Sequence, residues 1–441
     1  DEIGAMLPYS PLHHLLLEEF GAPLVATSAN ITGEPVLTDN AEVEARLGRV
    51  ADAFLHHDRP IARPADDPVV RVILGKARPL RLGRGNAPLE IDLPFALPRP
   101  VLALGGHLKN TVALGWQRRA VVSPHLGDMD APRSLALLKQ VATDLQALYG
   151  VHAEALACDA HPGYATTRLA ASWGLPVTKV FHHHAHASAL AGEFPRRTPC
   201  LVFTWDGTGY GEDGTVWGGE ALLGRPGHWR RVASLRPFSL PGGERAAREP
   251  WRCAQSLCWE TGRTWQECPE ESALLHSAWE NGLNCPRTSS AGRLFDAAAA
   301  FLGLAHRTTF EAQAPMALEA ACRGEGEAIA LPLSESRGVW VSDWEPLLAR
   351  LQDAGASVAE RAALFHVSLA RAIVDQARAV RAAHGVSCIG LAGGVFQNRV
   401  LCENVARLAE CEGFSLFVPE RIPCNDAGLS FGQLIEIGAS T

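Results

Sequence analysis

A buried strand that runs into a glycine-containing turn occurs twice in this sequence, and this repeat limits the possible folds more than any other feature. The first copy spans residues 101–104 and is followed by two glycines; the second spans 201–205 and is followed by Asp206 and a glycine. We expect each copy to begin a three-strand meander with tight turns, after which helices and strands alternate. The sequence therefore predicts a duplicated α/β fold with a cleft between the two halves.

The patterns that follow each start support this duplication. In the first copy, hydrophobic alternation and spacing predict strands at 111–115 and 120–122, a helix at 133–148, a strand at 155–158, a helix at 164–171 and a strand at 177–181. In the second copy they predict strands at 216–223, 388–392 and 414–418 and a last helix from Ala427. The stretch 241–353 is predicted to be a mostly helical insertion.

A proline-rich stretch at 93–100 divides the chain. Because proline lacks an N–H and fixes φ, we expect no helix or central strand there and place a domain boundary at this point. Before it, a buried strand is predicted at 22–30 and another at 69–73. The first 95 residues are therefore expected to form part of an α/β domain.

Composition narrows the class of protein. The formal net charge of −8 over 441 residues argues against a protein that coats nucleic acid, and the longest apolar run, 297–305, is too short to span a membrane. We therefore expect neither nucleic-acid nor membrane partners. The 11 cysteines include no C-x-x-C pair, which favours reduced thiols and a cytoplasmic protein. Because the chain begins with Asp1 and not Met, we expect it to be the C-terminal portion of a longer protein.

Four of the five residues from 182 to 186 are histidines, at a predicted strand-to-helix junction. If a helix begins there, His182 and His186 lie four residues apart on one face and can reach one divalent metal ion. The alternative is an exposed, histidine-rich helix start. Asp206 and Asp426 are candidate further ligands, although each has the alternative of a turn aspartate or a helix N-cap.

Three glycine-containing turns are candidates for cradling a phosphate, because glycine lets backbone N–H groups approach an anion closely. Their candidate nucleotide-binding residues are Lys109 and Asn110 in the first, Gly207, Thr208 and Gly209 in the second, and Gly393, Gly394 and Asn398 in the third. None of the turns continues as a P-loop. The alternatives are a plain β-hairpin for the second turn and a solvated cation for Lys109.

Two residues of the insertion remain ambiguous from their pattern alone. Asp296 has the alternatives of facing the cleft or lying on a polar helix face, and Gln313 is equally undetermined. Cys424 precedes Asp426 closely, but no histidine partner can be assigned to it, so we interpret it as structural.

Strings spread over the whole chain resemble the carbamoyltransferase HypF family of [NiFe]-hydrogenase maturation. They include Thr27-Ser28-Ala29-Asn30, Leu108-Lys109-Asn110-Thr111, the histidine cluster, Trp217-Gly218-Gly219-Glu220, Ser290-Ala291-Gly292-Arg293, Gly393-Gly394-Val395-Phe396-Gln397-Asn398 and Pro423-Cys424-Asn425-Asp426. Residues 1–95 resemble the C-terminal part of the family's YrdC-like adenylation domain. Residues 101–441 resemble its TsaD-like carbamoyltransferase domain, which has the ASKHA fold of actin, heat-shock chaperones and sugar kinases.

The resemblance implies roles for particular residues. It implies a divalent metal ion (zinc, iron or magnesium) on His182, His186, Asp206 and Asp426; a nucleotide site lined by Asp296, Gln313, Gly393, Gly394 and Asn398; and an adenylation-site remnant at Ser28, Asn30 and Arg59. His183 and His184 are candidate catalytic residues that contact the carbamoyl group or relay a thiol proton.

The resemblance also implies a reaction. In the family, ATP and carbamoyl phosphate give carbamoyladenylate, and the carbamoyl group then passes to the C-terminal cysteine of the carrier HypE on the route to the cyanide ligands of the hydrogenase iron. We expect this activity here, with HypE as partner. The alternatives are an O-carbamoyltransferase that acts on a small-molecule hydroxyl and a non-catalytic, ATP-binding assembly scaffold.

Overall fold

The computed structural model describes residues 3–196, 198–269, 273–324 and 326–440. The helices are α1 (Pro11–Phe20), α2 (Asn40–Leu47), α3 (Pro132–Tyr149), α4 (Ala165–Ala171), α5 (His182–Glu193), α6 (Arg245–Arg248), α7 (Pro250–Thr261), α8 (Ala273–Glu280), α9 (Ala291–Phe301), α10 (Gln313–Ala321), α11 (Glu345–Leu351), α12 (Val358–His384), α13 (Arg399–Cys411) and α14 (Leu429–Ser440). The strands are β1 (Val69–Ile73), β2 (Lys76–Arg81), β3 (Leu89–Ala103), β4 (Ala113–Val122), β5 (Ala155–Asp159), β6 (Val177–Val180), β7 (Cys200–Tyr210), β8 (Val216–Gly224), β9 (Arg230–Leu235), β10 (Phe238–Ser239), β11 (Arg287–Thr288), β12 (Leu333–Ser336), β13 (Val339–Ser342), β14 (Cys388–Ala392) and β15 (Ser415–Phe417).

Two sheets of matching topology form the body of the molecule. The first has the order β4-β3-β5-β6, and the second contains the corresponding run β8-β7-β14-β15, extended beyond β8 by β9, β13 and β12. In each sheet the first strand pairs antiparallel with its hairpin partner and parallel with the next strand, β5 or β14. The predicted duplicated α/β fold is confirmed.

The first half contains a two-strand hairpin, so the prediction of a three-strand meander was wrong there. β3 and β4 pair from Leu89 opposite Val122 to Ala103 opposite Ala113, so 113–115 and 120–122 lie in the same strand. Gln117, between them, has a positive φ of 48° and faces Leu97 at a register shift. A β-bulge, which inserts residues without reversing the chain, stands where the sequence predicted a turn.

The proline-rich stretch, where we predicted no helix and no central strand, is part of β3 and pairs there, among the described strands, with β4 alone. Register shifts on both sides of Leu97 interrupt its regular pairing with β4, and β5 pairs with β3 only from Val101 to Ala103. Prolines are tolerated at such positions because their missing N–H groups have no ladder bond to make. Leu93 and Leu97 are buried beside α14.

The N-terminal segment differs from the prediction in one element. The strand predicted at 69–73 is β1, which pairs with β2, but 22–30 is irregular and Val25 is fully exposed. A strand needs partners for its backbone N–H and C=O groups, and no strand within the described ranges pairs with residues 22–30.

Helices α5 and α14 pack against each other and link the two halves. α14 contacts β3 and β4 of the first sheet, while α5 contacts β7 and β14 of the second. The helices approach closely at Gly432, where a Cβ atom would overlap the carbonyl group of Ala185. This packing places the N-terminus of α5 at the junction between the halves.

Helices of the insertion, α6 to α11, cover the second half as predicted, and the pair β12–β13 extends its sheet. All 11 cysteines lie among the described residues, and none is in a disulfide. Over the part of the chain that the structure describes, we find no helix with the length and apolar character needed to cross a membrane.

Candidate metal and nucleotide site

Four buried side chains meet at the N-terminus of α5. His182 and His186 project from the first turn of the helix, and their Nε2 atoms lie 3.5 and 2.9 Å from Oδ2 of Asp206 and 3.6 Å each from Oδ1 of Asp426. One ligand atom from each residue fits within 4.8 Å of the other three. The structure thus brings together the four residues that the sequence analysis singled out as metal ligands.

Three separate elements deliver these side chains. Asp206 lies in β7 immediately after the strand's regular pairing with β8 ends at Trp205, and its Oδ1 accepts a hydrogen bond of 2.7 Å from the Gly207 N–H. Asp426 begins a single 3₁₀ turn that leads into α14. Because α5 packs on both β7 and α14, the ends of these elements converge on the same point.

The charges within the cluster are balanced in pairs. Burial opposes protonation of His182, but the carboxylates of Asp426, Asp159 and Asp206 outweigh it and raise the pKa of His182 well above its usual value. Burial also opposes ionisation of Asp206, yet the two imidazoles hold the pKa of that carboxyl well below its usual value. Imidazolium–carboxylate pairing therefore compensates for the burial of all four groups.

The donor set fits a divalent cation. Two imidazole nitrogens and two carboxylate oxygens, all buried, are the ligand types that zinc and ferrous iron take in proteins. Magnesium prefers an all-oxygen shell, which two carboxylates would complete only with water or phosphate oxygens. The cluster has the donor chemistry of a metal site.

Asp159 is a functional candidate that the sequence analysis missed. Its Oδ2 lies 2.9 Å from Nδ1 of His182, and its Oδ1 accepts a hydrogen bond of 2.8 Å from the backbone of His161. A carboxylate on the far ring nitrogen fixes the orientation of a metal-binding histidine. The available signal was its position as the last residue of the buried strand β5.

The two remaining histidines of the cluster face different surroundings. His183 is wholly buried, and neither ring nitrogen has a hydrogen-bond partner among the described residues. Burial, and then the charges of His182 and His186, lower the pKa of His183 well below its usual value. His184 lies near Glu212 and Glu436 and lines a separate cavity of about 300 Å³, and burial lowers its pKa to about 4.

The turn predicted at Gly207, Thr208 and Gly209 is a continuation of β7, which corrects the sequence analysis. The strand bulges between Trp205 and Gly209 and resumes pairing with β8. A Cβ atom on Gly209 would overlap His183 and lie 2.8 Å from His182. Gly209 therefore gives the imidazoles room, while Thr208 is exposed.

The glycine loop from Gly393 to Asn398 lies against the cluster. Gly393 has φ of 100°, donates its N–H to the Cys424 carbonyl at 2.7 Å and leaves no space for a side chain beside Trp205. A Cβ on Gly394 would lie 3.0 Å from Oδ1 of Asp206. The backbone of this loop thus borders the candidate metal site directly.

Asn398 makes hydrogen bonds within the protein. Its Oδ1 caps α13 by accepting from Leu401 N at 2.8 Å, and its Nδ2 donates to Nε2 of His366 at 2.9 Å. His366 in turn donates from Nδ1 to the Ala362 carbonyl at 2.7 Å. The side chain of Asn398 therefore holds the end of the loop in place.

Lys109 and Asn110 close the first turn on the other side of the cluster. The ammonium of Lys109, a residue with φ of 45°, pairs with Glu311 of the insertion. Burial opposes its charge, but Glu311, Asp426 and Asp206 raise the pKa of Lys109 above its usual value. Asn110 is buried and donates to the carbonyls of Leu104 and Gly106 at 2.8 Å each, so it shapes the turn.

The insertion contributes a buried ion pair. Nη1 of Arg293 lies 2.8 Å from Oδ2 of Asp296, and burial raises the pKa of Asp296 to about 6. Arg293 also covers Gly207, whose added Cβ would lie 3.1 Å from Nη2. Gln313 accepts from the N–H of Thr309 at 2.7 Å at the start of α10.

The three predicted adenylation residues lie in the N-terminal segment. The hydroxyl of Ser28 donates to Asn30, and Nδ2 of Asn30 donates to the carbonyls of Ile31 and Glu34 at 3.0 Å each. Arg59 is exposed. None of these hydrogen bonds reaches the four candidate ligands.

Comparison with protein-family models gives three matches in chain order. Residues 1–83 match a model described as telomere recombination, of the Sua5, YciO and YrdC proteins. Residues 96–193 match the HypF Kae1-like domain, and residues 202–433 match the second subdomain of the carbamoyltransferase Kae1-like domain. The last two ranges contain all four candidate metal ligands.

Whole-chain comparisons agree with the models. A carbamoyltransferase HypF from Synechocystis sp. is 38% identical over 98% of this chain and 59% of its own length, and a carbamoyltransferase HypF homologue from Cupriavidus necator is 39% identical over 76% of this chain and 90% of its own length. A crystal structure of full-length HypF in a phosphate- and nucleotide-bound form is 32% identical, with a TM-score of 0.94 over 99% of this chain and 59% of that one.

The chain thus spans about three-fifths of the length of the HypF proteins from Synechocystis sp. and of the crystal structure. The matched models, the identity and the shared fold all point to one family. The fold is a Kae1-like α/β domain in two subdomains, preceded by a YrdC-like portion. This chain belongs to the carbamoyltransferase HypF family.

Proposed function

We propose that this chain transfers the carbamoyl group of carbamoyladenylate to the C-terminal cysteine of a HypE-type carrier, for the synthesis of cyanide ligands in [NiFe]-hydrogenase maturation. The observation that carries the proposal is the buried group of His182, His186, Asp206 and Asp426 beside the glycine loop. The proposal is also supported by the chain's membership in the carbamoyltransferase HypF family.

The reaction has a simple balance of bonds. The cysteine sulfur forms a bond to the carbamoyl carbon, the bond from that carbon to the phosphate oxygen breaks, and AMP leaves with the electron pair. The products are an S-carbamoyl cysteine, AMP and one proton from the thiol. The protein has to accommodate the negative charge that develops on the departing phosphate and to receive the proton.

The surroundings of the cluster suit both tasks. When bound, a divalent cation on the four ligands supplies positive charge for the phosphate of the leaving group. The backbone of Gly394 lies against Asp206, and the ammonium of Lys109 is close enough to Asp426 and Asp206 for their charges to raise its pKa. His183, whose ring nitrogens have no hydrogen-bond partner among the described residues, is our candidate to accept the proton; His184 lies at the separate cavity, so we assign it no step.

We place the supply of carbamoyladenylate in the YrdC-like portion, with ATP and carbamoyl phosphate as substrates. The relative solved in a phosphate- and nucleotide-bound form supports a nucleotide as ligand of this family. Ser28, Asn30 and Arg59 are the residues to which we assign the adenylation site. A cytosolic location, supported by the free cysteines, belongs to the same proposal.

The test is the intact mass of a HypE-type protein after incubation with this chain, zinc or ferrous iron, and carbamoyladenylate from a separate, complete adenylation domain. We expect one carbamoyl adduct on the C-terminal cysteine, absent without this chain and absent with a carrier whose terminal cysteine is replaced by alanine. No adduct from a chain that binds AMP would overturn the assignment to HypE. It would favour a small-molecule acceptor or a scaffold.

A further inference from the structure

The hairpin β1–β2, which the YrdC-like model includes, packs on the second half of the transferase region. On β1, the guanidinium of Arg71 binds both carboxylate oxygens of Glu319 in α10, at 3.0 and 2.9 Å. The same Nη1 atom donates to the carbonyl of Gln397 at 2.8 Å. Only 20% of the Arg71 side chain and 9% of the Glu319 side chain are exposed, so solvent screens this pair weakly.

Glu319 also holds the helix that follows the glycine loop. Its Oε1 accepts from the backbone N–H of Arg399 at 2.8 Å and is 3.4 Å from that of Val400, in the first turn of α13. A carboxylate at this position satisfies free N–H groups and the positive end of the helix dipole. The Arg71–Glu319 pair therefore bonds to the chain on both sides of Asn398: Arg71 to the Gln397 carbonyl, and Glu319 to the start of α13.

The second strand of the hairpin touches the other side of the site. Nδ2 of Asn425 donates to the carbonyl of Leu80 at 2.9 Å and to Oε1 of Gln397 at 3.0 Å. Asn425 directly precedes the candidate ligand Asp426. Arg78 also anchors the hairpin, because its Nη1 atom donates a hydrogen bond of 2.7 Å to the carbonyl of Val418. The hairpin thus contacts the glycine loop and the turn of Asp426 together.

We propose that Arg71 is a positioning residue of the transferase site. Through Glu319 and the Gln397 carbonyl, Arg71 holds the loop from Gly393 to Asn398 in the shape that binds the phosphate of an adenine nucleotide. The inference rests on the proposed nucleotide site at this loop. A bidentate arginine–carboxylate pair fixes orientation as well as distance, which a lysine cannot reproduce. A segment of the YrdC-like portion thereby completes the site of the other domain.

The experiment compares Arg71→Ala and Arg71→Lys with Lys76→Ala in the full chain. Lys76 is a matched control because it lies in the same hairpin and also pairs with a glutamate of the second half, Glu420, at 2.6 Å, but at an exposed position. The readouts are the Kd for AMP by calorimetry, the KM and kcat for carbamoyladenylate in the transfer assay, and the thermal midpoint.

For Arg71→Ala we expect the Kd and the KM to rise about ten- to hundredfold, with kcat changed far less. Arg71→Lys is expected to fall between the alanine variant and the wild type, and Lys76→Ala to match the wild type. A folded Arg71→Ala with wild-type Kd and KM would overturn the inference and leave the proposed function standing. If Arg71→Ala does not fold, Glu319→Gln decides by the same readouts. Absence of AMP binding by the wild-type chain would overturn the nucleotide site and the inference together.

Discussion

The carboxylate of Asp159 lies 2.9 Å from Nδ1 of His182, and both side chains are fully buried. The bond leaves Nε2 of His182 directed at Asp206 and Asp426. The imidazole therefore sits between one carboxylate that orients it and two that share its other nitrogen. Such an arrangement preorganises a metal ligand before any ion is bound.

We predict that Asp159→Asn lowers the affinity of the chain for zinc by about 10- to 100-fold, because the asparagine no longer holds the His182 ring by a charged bond. Calorimetric titration of the metal-free protein with zinc measures this. Asp130→Asn is the matched control, since Asp130 also pairs with a histidine, His107, at 2.9 Å, but on the surface. Equal affinities of the Asp159 variant and the wild type would contradict the orienting role.

Gly209→Ala is predicted to disturb the same imidazoles from the opposite side. The added methyl group would overlap His183 and lie 2.8 Å from Cδ2 of His182. Overpacking of this kind lowers the free energy of unfolding by about 1–3 kcal/mol. Urea denaturation checks the prediction, with Thr208→Ala at the neighbouring exposed position as control. A Gly209→Ala variant as stable as the wild type would show that the histidines have room to move.

Glu220 is predicted to be a structural support of the second sheet. Its buried carboxylate accepts from the N–H groups of Gly218 and Gly219 at 2.6 and 2.7 Å and from Nη2 of Arg231 at 3.0 Å. Glu220→Ala leaves the N–H groups of Gly218 and Gly219 without this acceptor and removes one partner of Arg231, which keeps Asp213 and Ser234. We expect it to cost about 3–5 kcal/mol of unfolding free energy.

Glu220→Gln keeps one acceptor oxygen and is expected to lose less than the alanine variant. Urea denaturation of both proteins, compared with the wild type, measures the two losses. A loss of under about 1 kcal/mol in Glu220→Ala, the value of a surface ion pair, would refute the supporting role.

His366 is predicted to make stability depend on pH. Burial lowers the pKa of His366 below its usual value of about 6.5, and its two ring nitrogens bond to Ala362 and Asn398 in the neutral form. As the pH falls below about 6.5, the unfolded chain takes up a proton that the folded chain does not. The free energy of unfolding therefore decreases as the pH decreases through this range.

The measurement is urea denaturation between pH 5 and 8, values that bracket the ordinary histidine pKa, of the wild type and of His366→Gln. We expect part of the wild-type loss at low pH to be missing in the variant. His384→Gln, an exposed histidine of the same helix, is expected to keep the wild-type profile. Identical profiles for His366→Gln and the wild type would rule out this contribution.

Local spacing was enough to predict the position of the histidine pair. Residues four apart in a helix share a face whatever the tertiary structure, and Asp206 and Asp426 stood at a strand end and a helix start. Strands and helices with strong periodicity, such as α3 and β14, were likewise predictable. Proximity of the two aspartates to the histidines depends on the packing of α5, β7 and α14, which the residues alone did not reveal and the family resemblance implied.

Long-range contacts account for what the sequence did not show. The prolines of β3 are tolerated because they lie where the pairing of β3 with β4 is irregular and where β5 does not pair with β3. This depends on the assembled sheet and not on the local sequence. Asp159 at the end of β5 bonds to His182 at the start of α5, and Arg71 in β1 bonds to Glu319 in α10, far away along the chain. No local pattern marks such partners, since each side chain alone resembles an ordinary polar residue.

The most direct test of the account is single-turnover carbamoyl transfer to a HypE-type carrier by the wild type, His182→Ala and Asp426→Ala. Circular dichroism and the thermal midpoint establish that each variant is folded. We predict that the wild type forms the S-carbamoyl adduct, whereas both folded variants lose the transfer activity. Full transfer by either variant would contradict the assignment of the cluster as the reaction centre.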